Sequence, residues 1–399
     1  MAKILANPLQ QLLELSAQEK ESKGIMHTAA EIFQQPETWI STFERCEKHK
    51  PKLTEFLKQT GVGKQERPPT VLLVGAGSSD YIGRSLAPLL RRRWRVQVQA
   101  VPSTDLLLEL NDTLLPQRDY LIISFSRSGD SPEGVAVLRQ ALERFRRAWH
   151  LVITCNSQAA MAQACAEHPQ SALALVLDDA VNDRGLAMTS SFSNMVVAGQ
   201  YLAHIGDTAS YEKTLQLMVS AGKTLLSEFP EIASVIAEKQ LARACFIGSG
   251  ALAGVAYESA LKLLELTGGK IYSMAQPTLG LRHGPMTAID HDTLFVQYLS
   301  SDSQHRNYEL DLLDEVQRKK LGAVRLVIDG NRGKHGHGAD HVTGLILPET
   351  FPDDCRPPLD VITGQLLGLF ASLRAGLRPD NPSPSGTISR VVAGIKIYS

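Results

Sequence analysis

VLLVGAGSSDYIG, residues 71–83, opens with four apolar residues that suit a buried strand and then turns through Gly75 and Gly77 into a helix-forming run. FIGSGALAG (246–254) repeats the arrangement with Gly248 and Gly250. Working outward, apolar runs of strand length begin near 71 (VLLVG), 96 (VQVQAV), 120 (YLIISF), 149 (WHLVIT) and 173 (LALVL). A second series begins near 244 (ACFIG), 270 (KIYSM), 293 (TLFVQYL), 323 (AVRLVI) and 342 (VTGLIL). Counted from the first strand, the offsets are 25, 49, 78 and 102 in one series and 26, 49, 79 and 98 in the other. Strand-length runs separated by helix-length stretches indicate βαβ units, and matched spacing indicates two copies of one fold. The expected class is α/β: tandem doubly wound, flavodoxin-like domains, each a five-stranded parallel sheet flanked by helices. A single large sheet would not reproduce four offsets. Ligand binding is expected at the carboxyl ends of the strands, where loops and helix N-termini converge.

Around this repeat, residues 1–50 are expected to form a helical segment, 51–205 the first domain, 206–378 the second, and 379–399 a tail that packs back near the site. Within 28–48, Ile32, Phe33, Trp39, Ile40 and Phe43 fall at helical spacing and read as a packing face rather than a site. A chain of 399 residues suits two cores. Its net charge of −1 provides no basic field for nucleic acid or anionic lipid. The first 24 residues lack the basic start and apolar core of a signal peptide, and no apolar run reaches membrane-span length, so a soluble protein is expected. Five scattered cysteines without a CxxC pair suit a reducing cytoplasm and speak against a thiolate metal site.

The glycine loops alone are unspecific. A dinucleotide fingerprint would want Gly or Ala where Asp80 stands and an acidic residue where the second strand ends in Val101-Pro102-Ser103, so NAD binding is disfavoured. SFSRSGDSPEG (124–134) is more telling. Ser126, Ser128 and Ser131 surround Gly129 at a strand-to-helix turn, where hydroxyls and free amides can enclose a phosphate. Helix capping would need Ser131 alone.

In YESALKLLELTGG (257–269), Glu258, Lys262 and Glu265 stand at i, i+4 and i+7, on one helical face. An exposed salt-bridge row is the ordinary reading of such spacing. Here the intervening residues are largely apolar, and the helix follows a strand-end glycine loop, so its start should border the cleft. Two carboxylates beside an ammonium suit proton transfer next to a carbonyl. His283, in LRHGPM, sits on a loop and carries little weight by itself. With Gly77 and Gly250 in register, the copies are 173 residues apart. The acid–base set then maps onto Ser85, Leu89 and Arg92, and the serine turn onto Leu299, Ser301, Asp302 and Gln304. One copy should hold the phosphate and the other carry the chemistry, in one composite site.

Together these features resemble the sugar isomerase (SIS) domain family. The serine turn is similar to its phosphate loop, and Glu258, Lys262, Glu265 and His283 are similar to the active site of the isomerase half of glucosamine-6-phosphate synthase. No catalytic cysteine follows Met1, so the synthase's glutaminase half is not expected. A nearly full-length resemblance, to the AgaS group of galactosamine-6-phosphate deaminase/isomerases (also called tagatose-6-phosphate ketose/aldose isomerases), rests on AEIFQQPETW (30–39), NDRGLAMTSSFSNM (182–195), ALKLLELTGGK (260–270), TLGLRHGP (278–285) and DNPSPSGTISRVVAG (380–394).

The resemblance implies that Glu265 moves a proton between carbons 1 and 2. Lys262 and Glu258 support the enediol or enolamine, and His283 opens the ring from a neighbouring subunit, hence a homodimer or larger homo-oligomer. Gly77, Ser78, Ser79, Ser126, Arg127 (through its backbone), Ser128 and Ser131 would hold the phosphate. Two departures from the synthase pattern stand out. Two extra residues separate Glu265 from His283, and the synthase's tail lysine falls near Gly394, leaving Arg390 as its candidate replacement. The implied reaction is deaminating isomerisation of galactosamine 6-phosphate to tagatose 6-phosphate and ammonia, with no metal or organic cofactor. Aldose–ketose isomerisation without ammonia loss and a non-catalytic sugar-phosphate sensor are the rivals. A metal reading of KHGHGADH (334–341: His335, His337, Asp340, His341) and a nucleic-acid reading of RRRWR (91–95) are the weaker alternatives, the second being better explained as a solvated helix end.

Overall fold

In the computed structural model, residues 7–63, 66–330, 338–383, 385–392 and 394–398 are described. The expected tandem α/β architecture is present. β1 (Thr70–Gly75), β2 (Val98–Pro102), β3 (Tyr120–Ser126), β4 (Ala148–Thr154) and β5 (Ala172–Val176) form one sheet in the order β2-β1-β3-β4-β5. β6 (Arg243–Gly248), β7 (Tyr272–Pro277), β8 (Thr293–Leu299), β9 (Val324–Asp329) and β10 (His341–Gly344) form the other in the order β10-β9-β8-β6-β7. Read from its other edge, the second order repeats the first. Every pairing is parallel. The central strands β3 and β8 are buried along their whole length, which is why they read as unbroken apolar runs rather than alternating ones.

The chain forms two compact units. One comprises residues to Glu37, Asp183–Thr189 and Thr214–Thr387, and so contains the β6–β10 sheet. The other comprises Thr38–Asn182, Ser190–Lys213 and the residues from Ile388, with the β1–β5 sheet. In both sheets the first strand in the chain is followed by the same device. Gly77 and Gly250 precede the helices Ser78–Trp94 and Ala251–Leu266 with nearly identical dihedrals (φ 55, ψ −124 and φ 56, ψ −126), a left-handed turn that a side chain would strain.

The helical stretch expected around 28–48 is present as Thr28–Phe33 and Gln35–Thr60. Ile32 and Trp39 are fully buried and Phe43 nearly so, whereas Phe33 faces solvent. All five cysteines are free thiols and buried, and burial pushes Cys46, Cys165 and Cys245 up to about 12, which leaves them unreactive. Among the described residues, no helix is long and apolar enough to cross a membrane. His335 and His337 lie outside the described residues. Asp340 pairs with Arg325 at 3.0 Å, and His341 begins β10. Within RRRWR, Arg91 donates to the Val98 carbonyl (2.8 Å) and Arg93 meets His204 (2.7 Å).

Candidate active site

The helix Ala251–Leu266 carries the acid–base set. Lys262 Nζ lies 3.3 Å from Glu258 Oε1 and 2.6 Å from Glu265 Oε2. The side chains of Glu258 and Lys262 are 0% and 1% exposed, so this is no solvated salt-bridge row; Glu265 alone reaches the surface, at 24%. Burial by itself would push the Lys262 ammonium down, but the two carboxylates outweigh it and hold its pKa above the ordinary lysine value. A buried cation clamped between two carboxylates on a rigid helix holds the Glu265 side chain in a fixed position with part of it at the surface.

The neighbouring helix Pro357–Arg374 fixes this one. A Cβ at Gly364 would lie 2.3 Å from Ser259 Oγ and Cβ, so only glycine allows the two helices to approach this closely. At the same contact, Ser259 Oγ meets Tyr298 Oη at 2.7 Å, and Tyr298 Oη meets Thr363 Oγ1 at 3.1 Å. Lys262 stands one turn beyond Ser259, so its register is set by packing on both elements.

At about 1.5 Å per residue, Glu265 stands about 21 Å along the helix axis from Ala251. The helix begins where β6 ends. His283 follows the short 3-10 turn Leu279–Arg282 just beyond β7, at the carboxyl edge of the same sheet. It is exposed, and no hydrogen bond or ion pair joins its ring to the set among the described residues. Glu258, Lys262 and Glu265 are therefore in direct contact, and the His283 ring is not bonded to them among the described residues.

The serine turn belongs to the other unit. β1 and β3 are neighbours, with Val74 paired to Ser124, so the Gly75–Ser79 and Ser126–Ser131 turns leave adjacent strand ends. Ser78, Ser79, Ser126 and Arg127 are buried. Ser126 Oγ accepts the Gly129 amide (3.0 Å) and Ser128 Oγ the Asp130 amide (3.2 Å), which shapes the turn. Ser131 occupies the N-cap position of the helix Pro132–Arg144, yet its hydroxyl caps nothing. The capping explanation for this serine fails. The Ser131 hydroxyl and the Ser128 amide engage no other described residue. Such a turn can receive an anion through neutral donors. The Arg127 side chain donates to the Arg390 carbonyl at 2.5 Å, and the Arg390 guanidinium donates to Asn182 Oδ1 at 2.7 Å.

Sequence reasoning missed a carboxylate cluster. Glu31 accepts the Arg184 and Gly185 amides, while Asp380 accepts the Thr28 amide and hydroxyl at 2.8 and 2.7 Å and the His27 amide. Asp183 accepts the amide and hydroxyl of Thr189. Burial, then the nearby Asp183, push Glu31 up to about 7. Three of the segments that carried the family resemblance, around 30, 183 and 380, thus meet in one unit. Their separate recurrence as motifs was the available signal.

Comparison with known proteins agrees. Residues 66–205 match the SIS domain. An AgaS protein of Streptomyces coelicolor is 37% identical over 378 residues, covering 94% of this chain and 96% of its own. The D-galactosamine-6-phosphate deaminase AgaS of Escherichia coli is 35% identical over 374 residues, covering 93% and 95%. The crystal structure of tagatose-6-phosphate ketose/aldose isomerase from Escherichia coli superposes with a TM-score of 0.83 at 31% identity, over 93% of this chain and 96% of that one. The chain belongs to the AgaS family of SIS-domain proteins.

Proposed function

We propose that this chain converts D-galactosamine 6-phosphate and water to D-tagatose 6-phosphate and ammonia. The observation that carries the reading is the buried Glu258–Lys262–Glu265 set in a member of the AgaS family. In the open-chain sugar, Glu265 takes the proton from carbon 2 as the carbon 1 carbonyl becomes an enol, then returns it to carbon 1. The product is a ketimine at carbon 2. Water adds to that carbon, the carbon–nitrogen bond breaks, and ammonia leaves with a proton. Glu265 is the one member of the set that reaches solvent, so it meets the substrate, while Lys262 and Glu258 hold its charge and position. Ser79, Ser126, Ser128, Ser131 and the backbone of the Arg127 turn bind the phosphate, with Gly77 and Ser78 shaping the adjoining turn.

The absence of any hydrogen bond or ion pair from the His283 ring to the set among the described residues supports the further proposal that the ring-opening histidine acts in a homodimer, on the partner's substrate. Co-expressing Glu265→Gln and His283→Ala chains should then restore activity that neither variant shows alone. Hybrid dimers that stay inactive would remove the shared-site proposal.

Ammonia release by the purified chain tests the reaction. Galactosamine 6-phosphate should yield one ammonia per tagatose 6-phosphate, and glucosamine 6-phosphate should react more slowly. Interconversion of tagatose 6-phosphate with its aldose, without ammonia from the amino sugar, would instead establish simple isomerisation.

A further inference from the structure

At the end of the helix Ser78–Trp94, far along the chain from the serine turn, an open cleft of about 390 Å³ is lined by Leu57, Lys58, Val62, Arg93, Trp94 and His204. That volume lies at the small end of the range for small-molecule sites. What distinguishes the cleft is how Arg93 is held. His204 is buried, and its Nδ1 faces the Gln200 carbonyl at 2.9 Å, a contact that places the ring proton on Nδ1. Its Nε2 is therefore an acceptor, and Arg93 Nη2 donates to it at 2.7 Å. Burial pushes the His204 pKa down, which keeps the imidazole neutral. Behind it the ring stacks on Tyr211 (centroids 5.0 Å apart, 13° between planes), and Tyr211 Oη bonds Gln200 Oε1 at 2.8 Å.

A buried three-residue scaffold thus orients a guanidinium without neutralising it. Arg93 makes no ion pair among the described residues, and neither does Lys58. Asp207 is the single carboxylate on the lining, and its Oδ1 accepts the Ser210 amide at 3.2 Å. Two cations without an ion pair, against the single carboxylate of Asp207, leave the lining net positive beside Leu57, Val62 and Trp94, which matches an anion with an apolar or aromatic body. A solvated helix end would need the positive charges but not the buried anchor.

We propose that this cleft is a second ligand site, separate from the serine turn, for a small organic phosphate whose ester group is apolar or aromatic. Isothermal titration of the full chain with phenyl phosphate tests it, with Ser128→Ala and Ser131→Ala introduced to weaken the substrate phosphate site. One saturable site should remain in that background. Adding Lys58→Gln and Arg93→Gln should weaken it at least tenfold while thermal stability stays within a few degrees, and benzyl alcohol should give no saturable binding. The proposal is overturned by any of three results: no saturable phenyl phosphate binding in the serine-turn background, unchanged affinity in the Lys58/Arg93 variant, or equal binding of benzyl alcohol.

Discussion

Two turns occupy the same place in the two sheets: Ser126–Ser131 after β3 and Leu299–Gln304 after β8. In the second, the chain supplies its own anions. The Ser300 amide donates to Glu309 at 2.7 Å, and the Ser301 amide donates to both Asp353 oxygens at 3.0 and 2.8 Å. The Ser300 hydroxyl also bonds Asp353, and Arg356, wholly buried, bonds Asp353 at 2.9 Å and the Leu299 carbonyl at 2.7 Å. In the first, the Ser128 amide and Ser131 hydroxyl meet no such group among the described residues. The same strand-end geometry concentrates donors in both. Where a carboxylate of the chain fills the turn, the donors stabilise the fold; where none does, they remain for a ligand. On this account the loss of serines from the second turn matters less than the gain of Asp353 and Glu309.

Substitutions can break this contrast. The largest effect is expected at the acid–base set: Glu265→Gln should lower kcat by about a thousandfold in steady-state ammonia assays with KM little changed, because proton transfer is lost and phosphate binding is not. Next, Ser128→Ala with Ser131→Ala should raise KM by roughly tenfold to a hundredfold, because the lost Ser131 hydroxyl bond to a charged group is worth about 1.5–3 kcal/mol while the Ser128 amide remains, and Tm should stay near wild type. Asp353→Asn should do the reverse, lowering stability by about 1–3 kcal/mol in urea melts with KM unchanged.

The pH dependence of that last effect has a definite sign. Burial alone would raise the Asp353 pKa, but Arg356 and the Ser300 and Ser301 donors outweigh it and leave the carboxyl below the usual 3.8. A depressed carboxyl stabilises the fold above its unfolded value, and that contribution fades as pH falls through the folded one. The stability gap between wild type and Asp353→Asn should therefore be full at neutral pH and close below about pH 3.8. Of similar size, Gly364→Ala should cost about 1–3 kcal/mol by forcing the helix apart from Ser259, with a fall in Tm and a kcat loss that tracks the displaced set rather than a changed KM.

Much of this was readable in the chain. The strands begin within a few residues of the apolar runs because a sheet buried on both faces demands continuous hydrophobicity, and the repeat spacing doubles the signal. The Glu258–Lys262–Glu265 alignment is a local consequence of helical geometry. What escaped depends on distance in sequence. Asp353 is fifty-two residues from Ser301, and Asp380 is 352 from Thr28, so no spacing rule connects them. A strand-end loop marks where a helix starts, not which turn of it meets a ligand. That the Ser131 hydroxyl makes no cap bond is likewise invisible in the sequence, since an N-cap serine and a ligand-binding serine read identically.

The partition of labour is tested most directly by binding without turnover: calorimetric titration of tagatose 6-phosphate into the Glu265→Gln chain and into the Ser128→Ala/Ser131→Ala chain. The account predicts near wild-type affinity for the first and at least tenfold weaker binding for the second. Affinity lost in Glu265→Gln and kept in the serine variant would contradict it.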